Sequence, residues 1–145
     1  MTEPAIAIPE GFVPHTRHSP LTEPWAPIFA RTTADAVILG LHLRTAHTNS
    51  RGMAHGGLVS ALADNAMGLS CGLALEPGAL QGLVTISLQV DFLASARIGQ
   101  WFCFETAFVQ AGGTLCFANG FARADGEPVA RASATFRVLR PRAVA

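Results

Sequence analysis

The 145-residue chain predicts an α+β fold in which one long helix is wrapped by a curled antiparallel sheet. Three observations carry that expectation. From Gly57 to about Leu75 the sequence is dense in Ala, Leu and Met, with apolar residues on every side. A helix of that kind must be enclosed by other elements. Four strand-like runs follow it, and the dipeptides Gly112-Gly113 and Asp125-Gly126 between the last three are strong hairpin signals.

Taken in order, residues 1–34 read as an N-terminal arm. Pro4, Pro9, Pro14, Pro20 and Pro24 suit extended chain with turns, and "PWAPIF" (24–29) reads as a short helical turn burying Trp25 and Phe29. "DAVILGLHLRT" (35–45) is apolar and partly alternating, which predicts a strand. A polar loop spans 46–55 and leads into the helix, where Gly68 and Gly72 share a face and allow close backbone approach. "EPGALQG" (76–82) ends the helix as a loop. The strands then run over 83–93, 100–111, 114–124 and 128–139. The domain proper is 35–139, and 140–145 is a tail.

Composition narrows the function. Half of the residues are apolar and 14% are charged, which predicts more burial than a lone small domain achieves. Formal net charge is zero, so neither nucleic acid nor an anionic membrane is an expected partner. All ten basic residues are Arg; a P-loop lysine and a Schiff-base lysine are excluded. Cys71, Cys103 and Cys116 are odd in number and far apart, which predicts reduced, buried thiols in a cytoplasmic protein. No signal peptide is evident, and Asp64, Asn65 and two glycines argue against a membrane span over Leu58–Leu75.

Several motifs fail in context. "GLSCG" (68–72) has the nucleophile-elbow pattern but falls inside the helix, with all five histidines before it. Ser70 therefore reads as a small core residue. His42, His47 and His55 have no second acid or thiol at ligand spacing, so no metal is expected. Arg137, Arg140 and Arg142 read as a solvated tail, with a weak phosphate clamp as the sharper alternative. Phe102, Phe104, Phe108 and Phe117 read by default as aromatic core.

The stretch "HTNSRGMAHGGLVSALADNAMG" (47–68) carries a pattern that suits chemistry. Gly56 and Gly57 at a helix start expose N–H groups beside the positive end of the helix dipole. Such groups suit a carbonyl oxygen that becomes an oxyanion during acyl transfer. A tight turn into the helix explains the glycines equally well. Asp64, the one charge on the helix, must be hydrogen-bonded, paired or used; a structural role competes with a chemical one. Eight helical residues place it about 12 Å from Gly56, too far for both to touch one carbonyl carbon. If the two cooperate, the acid comes from a second subunit across a two-fold axis.

The block "NSRGMAHGGLVSALAD" (49–64) resembles the helix-start signature of hotdog-fold thioesterases of the PaaI-like group, which includes thioesterase superfamily member 2. The resemblance runs over residues 35–139 in element order. It implies a sheet of five to six strands around a central helix, dimers that commonly pair into tetramers, and acyl-CoA thioesters as substrates. It implies that the Gly56 N–H polarises the thioester carbonyl, with Gly57 beside it in the substrate site. Asn49 would orient the attacking water or the thioester, and His55 would hold the loop. Asp64 of the opposite subunit would be nucleophile or general base. Thr85 stands where a serine often helps to hold the water. No cofactor is implied, because CoA arrives with the substrate.

Other hotdog enzymes fit less well. The D-x-N-x-x-H motif of MaoC-type hydratases is absent, and "HGG" suits thioesterases better than acyl-carrier-protein dehydratases. A non-catalytic hotdog that binds acyl-CoA as sensor or carrier is the competing class. A lost acid or a fused DNA-binding segment would mark it; Asp64 is present and no helix-turn-helix precedes residue 35.

Overall fold

The computed structural model describes residues 7–76 and 82–140. Pro4, most of the 76–82 loop, Arg142 and the rest of the tail lie outside them. Seven strands form one antiparallel sheet: β1 (Val13–Pro14), β2 (Phe29–Thr32), β3 (Val37–His42), β4 (Gly82–Phe92), β5 (Trp101–Ala111), β6 (Leu115–Ala124) and β7 (Glu127–Leu139). One long helix, α1 (Gly56–Ala74), lies between β3 and β4 in sequence. The sheet order is β1-β2-β3-β5-β6-β7-β4.

That order follows from the connections. Tight turns make β5, β6 and β7 a meander, with Asp125 and Gly126 both at positive φ (47° and 86°) as a two-residue hairpin requires. β3 pairs with β5, so α1 crosses the sheet and β4 lands on the far edge beside β7.

The sheet exceeds the expected five to six strands because the N-terminal segment supplies β1 and β2. The 24–29 stretch does not form one helical turn that buries Trp25 and Phe29. A 3₁₀ turn covers Glu23–Trp25, Pro27 has no N–H with which to continue it, and Phe29 opens β2. Both rings stay half-exposed, and Ile28 enters the core instead. The outer face here is closed by Trp101, whose ring lies so close over Gly40 that a Cβ there would collide with it.

The inner face presents Leu39, Leu41, Phe102, Phe104, Cys116, Ala118, Ala132 and Phe136 to Leu58, Leu62, Ala66 and Met67 of α1. Complete burial of Phe102 and Phe104 contributes about 2 kcal/mol each. Phe108 and Phe117 are not core: they stand 49% and 44% exposed on the outer face. A bulge between Thr106 and Phe108 reverses the alternation that puts Phe102 and Phe104 inside. Gly120 faces that bulge, where a Cβ would run into the Glu105 carbonyl. Gly68 has only ordinary contact with Phe136, so no backbone packs against it.

Ser70 is a core residue. Its Oγ donates to the Ala66 carbonyl at 2.7 Å and accepts the Val37 N–H at 3.0 Å. Cys71 and Cys116 are buried and Cys103 half-buried, all three as free thiols. Burial pushes the Cys71 and Cys103 thiols up, which disfavours a thiolate nucleophile.

Within one chain the helix is not enclosed on every side. Ser60, Ala61, Asp64, Asn65, Gly68 and Leu69 form a half-exposed stripe, and Leu73 is exposed. The stripe lies beside edge strand β4, whose Val84, Ile86, Leu88 and Phe92 are exposed as well. No helix among the described residues is long and apolar enough to cross a membrane.

Candidate active site

Loop 45–55 is built from polar residues that satisfy its own backbone. His47 is buried, its Nδ1 accepting the Arg44 N–H at 3.1 Å and its Nε2 donating to the Trp25 carbonyl at 3.0 Å. Burial, the largest influence, holds its pKa below the usual 6.5. Asn49 then folds the loop back: its Oδ1 accepts the N–H groups of Arg51 (2.9 Å) and Met53 (3.2 Å), and its own N–H donates to the Met53 carbonyl at 2.8 Å. Gly52 makes the turn at φ 75°. The Ala54 N–H donates to the Ala96 carbonyl at 2.9 Å, anchoring the loop on the β4–β5 connection.

This wiring defines what each residue can offer a ligand. Both bonds at Asn49 Oδ1 are spent on the loop, so its side-chain amide is left to donate and not to accept. His55 is the N-cap of α1, with Nδ1 accepting the Gly57 N–H at 2.8 Å. Gly57 is thereby occupied. The Gly56 N–H donates to no protein atom among the described residues, and it points from the positive end of the helix.

A cleft of about 210 Å³ opens at this point. Asn49, Arg51, Gly56 and Ser95 supply its polar side, while Met53, Val59, Phe92, Ala96, Phe102 and Ala130 supply its walls. The Phe92 ring stands against Gly56, close enough that a Cβ there would lie 3.2 Å from Phe92 Cζ.

Asp64 and Thr85 are elsewhere. Asp64 is half-buried in the α1 stripe, and its Oδ1 accepts the Thr85 hydroxyl from β4 at 2.6 Å. Neither residue lines the cleft. The fold thus joins Asn49, Gly56 and the His55 cap on one side and Asp64 with Thr85 on another, and it does not unite the two groups within one chain. Among the described residues, no group of three or more His, Cys, Asp or Glu could hold a metal ion. Arg137 is exposed, and Arg140 Nε donates to the Gly113 carbonyl at 2.8 Å.

Sequence reasoning missed Phe92 and Arg51 as cleft residues. For Phe92 a signal exists: Leu88, Val90 and Phe92 alternate onto the inner face of β4. Nothing in the sequence brings that ring to Gly56.

Comparison with known proteins agrees with the fold. Residues 51–131 match the thioesterase superfamily model. The chain is 36% identical over 132 residues to Pseudomonas aeruginosa PA0474, whose name carries the word esterase; the match covers 90% of this chain and 97% of that protein. It is 29% identical over 87 residues to mouse acyl-coenzyme A thioesterase 13, 59% of each chain. Zebrafish thioesterase superfamily member 2 superposes with a TM-score of 0.75 at 22% identity, over 83% of this chain and 88% of that one. With more than half of its length inside the family match, and a curled sheet around one helix, the chain belongs to the thioesterase superfamily and has its hotdog fold.

Proposed function

We propose that the protein hydrolyses acyl-CoA thioesters to the free acid and CoA, in two sites shared across a two-fold dimer. The observation that carries this reading is the split just described. A free N–H at Gly56 and a donor amide at Asn49 meet in one cleft, while the carboxylate held by Thr85 lies about two helical turns away on a half-exposed stripe. Pairing of two copies through β4 would cover its apolar edge and set one α1 antiparallel to the other, bringing Asp64 of each copy to the Gly56 cleft of its partner.

In that arrangement the thioester oxygen lies against the Gly56 N–H and the Asn49 amide. Asp64 takes a proton from water as the water oxygen attacks the carbonyl carbon, and the two donors stabilise the oxyanion. Collapse breaks the C–S bond, and the proton passes from Asp64 to the CoA sulfur. Thr85 fixes Oδ1 with its hydroxyl and leaves Oδ2 for the proton. Two dimers pairing through the outer face would cover Phe108, Phe117 and Phe121 and give a tetramer.

Thiol release from a panel of acyl-CoA esters tests the activity, and Asp64 tests the mechanism. Asp64→Asn keeps the shape and removes the charge; turnover should fall at least ~10²-fold with CoA-ester binding retained. A wild-type protein that binds acyl-CoA and releases no thiol would support the sensor or carrier instead. A folded Asp64→Asn variant with near-normal turnover would remove Asp64 from the chemistry.

A further inference from the structure

The connection between β1 and β2, residues 15–28, is a strap folded onto the root of the 45–55 loop. It holds its own shape. The His15 N–H donates to the Ile28 carbonyl at 2.8 Å, the Ser19 N–H to Oγ1 of buried Thr22 at 3.2 Å, and the Trp25 N–H to the Thr22 carbonyl at 2.9 Å. The Pro24 carbonyl cannot be met by the next turn, because Pro27, three residues on, has no N–H. Three successive carbonyls, those of Pro24, Trp25 and Ala26, are taken by two side chains from outside the strap. Arg44 Nη2 donates to Pro24 at 3.2 Å and to Ala26 at 2.6 Å, and His47 Nε2 donates to Trp25 at 3.0 Å.

His47 is also where the loop closes. Its carbonyl accepts the N–H of His55, the N-cap of α1, at 2.9 Å, and Thr48 bridges to Ala54. Asn49 stands two residues beyond His47, and Gly56 one residue beyond His55. A shift of His47 therefore moves both donors of the cleft. Within 45–55 only His47 is buried, so the loop has no apolar core of its own to fix it. The exposed Arg44 guanidinium makes no ion pair among the described residues, and its two bonds to the strap are charge-assisted.

We propose that the strap belongs to the catalytic apparatus: by holding it, Arg44 and His47 act as positioning residues that set Asn49 and the Gly56 N–H where the thioester oxygen needs them. The proposal rests on the thioesterase reading above and adds residues that the family match, which begins at residue 51, does not reach. Oxyanion donors act only where their geometry is preset, and a misplacement of ~1 Å can cost ~10²-fold in rate.

Arg44→Met removes one hold on the strap from an exposed position and keeps the backbone N–H that His47 accepts. On the acyl-CoA ester that the wild type cleaves fastest, kcat should fall ~10-fold or more while Tm stays within a few degrees. Arg44→Lys restores a charged donor and should recover part of the loss. Hydrogen exchange followed by mass spectrometry supplies a readout that general destabilisation would not give. Amides of 47–57 should exchange faster in Arg44→Met, while those of 62–71 in α1 keep their wild-type protection. Wild-type kcat in the Arg44→Met protein, or exchange that rises equally in loop and helix, would overturn the proposal. If the wild type hydrolyses no ester, the thioesterase reading fails, and the exchange measurement alone decides whether the strap holds the loop; unchanged rates over 47–57 would refute it.

Discussion

Thr85 Oγ1 donates to Asp64 Oδ1 at 2.6 Å, tying edge strand β4 to the one carboxylate of the central helix. A bond of that length from a hydroxyl to an ionised acid is a strong, charge-assisted one. It fixes the direction of the carboxylate at a position only half shielded from water. The methyl group of Thr85 does not prevent the contact.

Replacing Thr85 should therefore act on rate and not on folding. Thr85 is exposed, so Thr85→Val should leave Tm within a few degrees while kcat falls ~10-fold or more, the worth of one hydrogen bond to a charged group. Thr85→Ser should stay near wild type. Steady-state kinetics beside thermal melts measure both, and a Val variant with wild-type kcat would make the bond incidental.

Gly56→Ala separates a turn residue from an oxyanion donor. The new methyl would sit 3.2 Å from Phe92 Cζ, the tip of an exposed ring that can turn aside, so the cost in stability should be small. Activity should drop ~10²-fold, because the carbonyl must reach the Gly56 N–H over the same ground. Loss of activity that only follows a lowered Tm would leave Gly56 as a turn residue. Recovery in a Gly56→Ala, Phe92→Ala double variant would assign the damage to the displaced ring.

His47 should make stability depend on pH. Its buried, neutral ring binds the Arg44 N–H and the Trp25 carbonyl, and burial holds its pKa below 6.5. The unfolded chain takes up a proton near the ordinary value while the folded one resists, so stability is complete above about pH 6.5. It is lost as pH falls through the lowered folded value. Melting between pH 8 and 5 should show this decline, and His47→Gln should flatten part of it. An identical slope in the variant would mean that His47 is not the group responsible.

Much of this was legible in the sequence, and the remainder has identifiable causes. α1 and β4 to β7 could be read because their apolar runs are long and two glycine-bearing dipeptides mark the turns. β1 and β2 span two and four residues among prolines, too short for any alternation to emerge. Phe108 was misplaced because one bulge residue at Ala107 reverses the face of everything after it. Asn49, Gly56 and Asp64, the residues of the proposed site, stand in one continuous block of sequence. The Thr85 bond and the Phe92 contact depend on β4 taking the edge beside β7, which is decided by tertiary order and not by local pattern. An all-round apolar helix signals enclosure and does not say what encloses it.

If each site takes its loop from one subunit and its acid from the other, two inactive variants must restore each other when their chains are mixed. Asn49→Ala keeps Asp64 and damages the loop; Asp64→Ala keeps the loop and removes the acid. Each homodimer should be nearly inactive. Co-expressed, or unfolded and refolded together, the two chains reassort so that about half of the dimers are mixed, and each mixed dimer has one site with both residues intact. Thioester turnover should return to roughly a quarter of the wild-type value by this statistic. No recovery in a preparation shown to contain heterodimers would mean that Asp64 does not act on the loop of its partner, and the shared site would be wrong.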